Sequence, residues 1–370
     1  MKQGTFIHER CGRLFAAVAL IAGAMSAAVV PADAVERPAI GLHSGKDDSI
    51  EQYERFGAWL GEKVLYRVVF ADMNTWDGIA SPWFIGTSRR WIESDPRRVE
   101  VISLPLLPKT DKGDFAAVIA GRHDAKFRSF AEKVEARRMA SRVIVRLGWE
   151  GNGDWYPWAY GSNPAGFRGA FRRAVHVMRR AAPDLRFEWC VSSRAVRKGG
   201  PAHWTEGYPG EDVVDIISMD TYDEYNMTWK SLLEGEAGLR ELREFAIAHG
   251  KPEAYPEWGC STNSSAQGGG DNVEFIEKMA EWFEGRPGGV LYQAYWNTGG
   301  RGPNAAIHGP NARGVPRAAA AFRRIFGQSP DSADSLRTHS QRQIQSLAIG
   351  AAPGVASHGP TAGGATSHTR

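Results

Sequence analysis

Along this chain, short apolar and β-branched runs alternate with longer stretches in which apolar residues recur every three or four positions. The short runs begin at Ala39 (AIGL), Val64 (VLYRVVF), Val99 (VEVISL), Arg142 (RVIVRL), Leu185 (LRFEWCV), Val213 (VVDIISM), Lys251 (KPEAYPEW) and Val290 (VLYQAYW). Between them, 50–63, 124–139, 164–182, 229–249 and 272–285 read as helices. In the second of these, Phe127, Phe130, Ala131 and Val134 fall on one helical face. Strands this apolar, separated by helices, are buried on both faces of a parallel sheet. Eight such units within about 290 residues predict a single (β/α)8 TIM barrel. A doubly wound open sheet is the competing arrangement, but no G-x-G-x-x-G follows the first strand and no G-x-x-x-x-G-K-[ST] occurs.

The alternation stops at both ends. Lys2, Arg10 and Arg13 precede an apolar run from Leu14 to Val30, and Ala32-Asp33-Ala34 follows it. That layout predicts a cleaved secretory signal at 1–34, a barrel domain at 35–327 and a secreted or periplasmic protein with no membrane span left after cleavage. An uncleaved anchor is the other reading of the same segment. From 328 to 370 Ser, Ala, Gly, Thr, Gln and His dominate and aromatic residues vanish, as in a disordered low-complexity tail.

Composition narrows the partners. The 45 Lys and Arg are interspersed with 42 Asp and Glu, for a net charge of +3, and no basic block is present to track phosphates. Nucleic acid is therefore excluded as the expected partner, and a monomer is expected. The ten histidines form no H-E-x-x-H or other ligand spacing, so neither metal nor cofactor is expected. Cys11 lies in the leader. Cys190 and Cys260 belong to strands five and seven, and with about 4.8 Å between neighbouring strands they are too far apart for a disulfide.

In a barrel of this kind the working face is built at the carboxyl ends of the strands. Strand four ends in RLGWEGNGDWYPW (146–158), strand six in Met219-Asp220-Thr221-Tyr222-Asp223, strand seven in Pro256-Glu257-Trp258-Gly259 and strand eight in Tyr295-Trp296-Asn297. Glu150 and Glu257 are the carboxylates that stand where apolar strands end, among tryptophans, where an idle charge is costly. Two opposed carboxyls suit glycoside hydrolysis, one donating a proton to the leaving oxygen and the other meeting charge at the anomeric carbon. Tryptophan faces suit the apolar faces of sugar rings. Arg146, four residues before Glu150 on an extended strand, shares its face.

The pattern Arg-x-x-x-Glu-x-Asn-Gly-x-Trp-(aromatic)-x-Trp, followed by Pro-Glu-(aromatic)-Gly, resembles glycoside hydrolase family 26 over roughly 38–326. That family comprises retaining (β/α)8 enzymes, among them β-mannanases, some β-1,3-xylanases and mixed-linkage glucanases. Glu257 lies 107 residues beyond Glu150, Tyr222 lies 72 beyond Glu150 and Trp296 lies 39 beyond Glu257, intervals similar to the family's. The resemblance implies Glu150 as acid/base and Glu257 as nucleophile, with Tyr222 and Arg146 hydrogen-bonded to the nucleophile and Trp296 beside the scissile bond. Flanking Trp149 and Trp155 would desolvate the acid.

Substrate contacts are expected from Asn152, Trp155, Trp158, Trp296, Trp258, Trp204, His203 and Trp76. Trp83, Tyr208, Asp223 and Asn297 are further rim candidates. The expected activity is a secreted retaining endo-β-glycosidase acting on a β-mannan, β-xylan, β-glucan or bacterial exopolysaccharide. The alternative is a catalytically silent glycan-binding barrel. One departure stands out: the best-known mannanases of the family carry histidine before the acid/base, and here the residue is Trp149.

Overall fold

The computed structural model describes residues 37–45, 49–193, 203–300, 302–310, 312 and 314–327. The leader at 1–34 and the tail at 328–370 lie outside them. Eight strands are present: β1 (Ala39–His43), β2 (Tyr66–Phe70), β3 (Val99–Leu104), β4 (Val143–Leu147), β5 (Arg186–Ser192), β6 (Ile216–Tyr222), β7 (Glu253–Gly259) and β8 (Tyr292–Trp296). They pair in chain order, all parallel, and β8 closes on β1. Each lies on one of the eight apolar runs, and helices cover the outside. Among the described residues no helix is long and apolar enough to cross a membrane.

One helix departs from expectation. The segment 229–249 is two helices, Trp229–Glu234 and Leu239–Ala248. Gly235 ends the first and Gly238 caps the second, with Ala237 between them at φ 53°. The apolar spacing continues across the break, which is why period alone reads it as one helix.

Strand alternation divides the side chains between two cores. Inward, Tyr66 stacks on Tyr292 with ring centroids 4.5 Å apart, and Val68, Val101 and Ile144 fill the lower barrel. Outward, residues such as Leu42, Val145, Phe187 and Ile217 pack beneath the helices. β7 breaks this alternation. Ser218 and Asp220 of β6 face Ala254 and Glu257 of β7, so three steps on β7 match two on β6, and the pairing with β8 slips at the same place. The bulge falls at Pro256, which has no N–H to give a ladder. Ala254 points inward, and strict period two would continue through Pro256 to Trp258; the bulge turns Glu257 inward instead and Trp258 outward.

Candidate active site

The upper barrel is lined by charge. Arg146 of β4 is fully buried, and its Nη1 donates to Glu257 Oε1 at 2.7 Å and to Ser103 Oγ at 3.1 Å. Its Nη2 donates to Asp220 of β6, two residues before Tyr222 on the same strand face. Tyr222 Oη donates to the other oxygen of Glu257 at 2.9 Å. Donors on both oxygens fix the direction of that carboxylate. Burial pushes the Asp220 carboxyl up against the pull of Arg146, and Glu257 and Glu150 add to the rise.

Glu150 comes from the turn after β4. Gly148 and Glu150 both take left-handed backbone, at φ 55° and 49°. A Cβ at Gly148 would stand 3.0 Å from the Leu106 Cβ, so glycine serves both the angle and the space. A glutamate in that region is strained, by roughly 1 kcal/mol or more, and persists only where its surroundings hold it. Here its N–H donates to Cys190 O, its carbonyl accepts from Gly153 N, both at 2.9 Å, and Trp155 Nε1 donates to its Oε2 at 2.9 Å. Trp155 thus reaches the acid through a hydrogen bond, where desolvation alone was expected. Asp220, Tyr222 and Tyr156 each lie in the field of both Glu150 and Glu257, which places the two acids at one site.

A third side of the site was not singled out from sequence. His43, at the end of β1, is stacked on Trp296 at 4.2 Å and edge-on to Phe70 at 5.0 Å. Its Nδ1 lies 2.9 Å from the Val68 carbonyl and must carry the proton, leaving Nε2 as an acceptor. Burial lowers its pKa, so the ring is neutral, with Glu257 and Arg146 among the charges around it. The strand-end rule that selected Trp296 applies equally to His43. Beside these rings a cavity of about 1090 Å³ opens between β1, β2 and β8, lined among others by Gln52, Asp72, Trp83, Trp296 and Asn297. Asn297 also shapes its wall, accepting from Ile307 and His308 N–H at 2.9 Å each.

Several residues expected to touch substrate are scaffold. Trp258 is wholly buried, turned outward by the bulge onto Tyr295, Phe322 and Phe283. Trp158 is equally buried, stacked on Tyr156 at 4.7 Å with its N–H given to the Trp149 carbonyl. Trp204 packs on Trp189 and donates to Glu241, and Tyr208 lies against Trp189 and Phe245. Asn152 uses both ends of its amide on the Ser192 backbone, tying the β4 loop to β5. His203 is exposed but caps the turn Trp204–Gly207. Trp76 stacks on His123 at 3.8 Å and donates to Asp111. Trp149 itself is buried, packed on Trp158, Tyr156 and Phe70, with the Arg146 guanidinium 5.7 Å from its ring. Its indole roofs the ion-pair cluster and faces no open cleft.

Asp223 also proves structural. Its Oδ1 accepts from Ser261 N at 2.5 Å and its carbonyl from Gly269 N at 2.8 Å, clasping the loops after β6 and β7. Burial pushes its carboxyl from the ordinary 3.8 up to about 7. Between those values the folded protein holds a proton that the unfolded chain releases, so this group's contribution falls as pH rises through the interval and is flat above it. Asp223→Asn should therefore flatten the stability profile, gaining on the parent toward pH 8 by up to about 4 kcal/mol. Urea unfolding from pH 4 to 8 checks this; parallel profiles for the two proteins would refute it.

Among the described residues Cys190 and Cys260 are both free and buried. No group of three or more His, Cys, Asp or Glu there is arranged to hold a metal ion.

Residues 116–240 match the model of Glycosyl hydrolase family 26, a span that holds Arg146, Glu150 and Tyr222 and ends before Glu257. The chain is 30% identical over 108 residues to Endoglucanase H of Acetivibrio thermocellus, a match covering 28% of this chain and 12% of that protein. It is 25% identical over 172 residues to a mannan endo-1,4-beta-mannosidase of Bifidobacterium adolescentis, covering 44% of this chain and 17% of that one. The chain thus spans less than a fifth of the length of these relatives. The fold is similar to that of a Cellulomonas fimi endo-beta-1,4-mannanase double mutant, with a TM-score of 0.57 and 18% identity over 79% of this chain and 71% of that one. The chain is thus similar to glycosyl hydrolase family 26 over 116–240, about a third of its length, and its closed parallel barrel has the fold of the Cellulomonas fimi mannanase.

Proposed function

We propose that this protein is a secreted retaining endo-β-glycosidase that cleaves a β-linked polysaccharide by double displacement, with Glu257 as nucleophile and Glu150 as acid/base. One observation carries the reading: Glu257 is clamped by Arg146 and Tyr222 on its two oxygens, in a site whose other carboxyl, Glu150, is held in strained backbone by Trp155 and Cys190. A carboxylate fixed in direction suits attack on the anomeric carbon. In the first step its oxygen bonds to that carbon while Glu150 protonates the departing oxygen. In the second, Glu150 takes a proton from water, which displaces Glu257 and frees the sugar.

The relatives' names point to β-mannans and β-glucans as the first glycans to try.

A screen of mannans, xylans, β-glucans and bacterial exopolysaccharides identifies the substrate, and Glu150→Ala tests the assignment. On the polysaccharide kcat should fall by roughly 10³-fold. On a dinitrophenyl glycoside of the same sugar, whose leaving group needs no proton, the first step should be nearly unaffected. Equal losses on both substrates would remove Glu150 from the acid role. No cleavage of any glycan by the wild type would favour a silent binding barrel.

A further inference from the structure

We propose that the cavity beside Trp296 is the glycone arm of the cleft, that it holds at least two consecutive sugar rings, and that Trp83 is the platform for the outer one. The inference rests on the hydrolase reading above and adds to it a substrate length and a residue.

Sidedness comes from the chemistry. The nucleophile bonds to the glycone, whereas the acid reaches for the oxygen of the leaving group. His43 and Trp296 line the cavity; His43 lies in the field of Glu257, and Trp296 meets Tyr222 edge-on at 6.3 Å, the tyrosine that holds Glu257. Glu150 is instead bonded to Trp155, on the loop after β4. The cavity therefore opens on the side of the sugar that becomes covalently held. Its volume, about 1090 Å³, lies just above the roughly 300–1,000 Å³ that houses a drug-sized ligand, and a single hexose would leave most of it empty.

Trp83 is the second, independent observation. Of 13 tryptophans, all of them described, just two are exposed: Trp155 at 47% and Trp83 at 66%. Trp155 is accounted for by Glu150. Among the described residues Trp83 makes no hydrogen bond that would explain its place, and an indole two-thirds in water forgoes most of the burial free energy its size offers. It is nonetheless fixed: the next residue, Phe84, is buried at 1% exposure and meets the Trp83 ring edge-on at 5.7 Å. A presented flat apolar face, in a cavity with Gln52 and Asp72 to accept or donate hydroxyl hydrogen bonds, matches a pyranose ring, apolar on its face and polar at its edge.

The test compares wild type, Trp83→Ala and Trp83→Phe on β-linked oligosaccharides of increasing length and on an aryl glycoside of one sugar. Trp83→Ala should raise KM by roughly 10-fold on substrates that fill two or more glycone positions, with kcat within about twofold and the aryl monoglycoside unaffected. Trp83→Phe should recover most of the loss. Unchanged KM at every length, or an equal loss on the aryl monoglycoside, overturns the proposal. If wild type cleaves no glycan, the hydrolase reading fails separately, and calorimetry decides this one. Affinity that grows with chain length in wild type and not in Trp83→Ala supports it; equal affinities overturn it.

Discussion

Replacement of Glu257 by alanine is expected to lower hydrolysis of every glycan the enzyme cleaves by roughly 10⁴-fold or more, because the double displacement proposed above would lose its nucleophile. The side chain sits at one end of the buried network, and Arg146 keeps Asp220 and Ser103 when Glu257 is gone. Folding should therefore survive, with circular dichroism like that of the parent. The truncated side chain leaves room on the anomeric face for a small anion. Azide should restore turnover and give a glycosyl azide of configuration opposite to the substrate's. Undiminished hydrolysis, or rescue with retained configuration, would show that another group attacks.

Arg146→Met carries the second large effect, on stability as well as activity. Arg146 is fully buried with Glu257 and Asp220 as its ion-pair partners, and removing it leaves two carboxylates in the barrel without their cation. Breaking a buried pair from one side costs about 3–5 kcal/mol, much of it the stranded charge. Near neutral pH the variant should unfold at lower urea concentration by that margin, and hydrolysis should be lost with the Glu257 clamp. The deficit should shrink on acidification, since the stranded carboxyls can then take up protons. Adding Asp220→Leu should recover part of the stability and none of the activity. A stability loss independent of pH would mean that packing, not charge, is what Arg146 supplies.

Much of this site is legible in the sequence, because strand ends in a closed parallel barrel converge whatever their separation along the chain. Glu150, Tyr222, Glu257 and Trp296 are such ends, and so is His43, which the same rule reaches when applied to β1. Asp220 is found by stepping two residues back from Tyr222 to the same face. The tryptophans were harder to sort, since composition counts indoles without their direction. Trp258 follows Glu257 by one residue, and only the bulge at Pro256 decides which of them enters the barrel. Trp158 looks like a rim residue until the loop after β4 folds back and buries it under Trp149. Trp149, the departure from the mannanases' histidine, is expected from sequence to flank the acid; its ring lies over Arg146. The break at Gly235 to Gly238 was signalled by its two glycines, which the apolar period outvoted.

The central claim is a double displacement between Glu257 and Glu150. Proton NMR of wild-type enzyme acting on the glycan it cleaves best, recorded before mutarotation, tests it most directly. The first-formed reducing end should be the β-anomer, with the α-anomer growing in afterwards; an α-anomer appearing first would contradict the covalent intermediate on Glu257 and the roles assigned to both carboxylates.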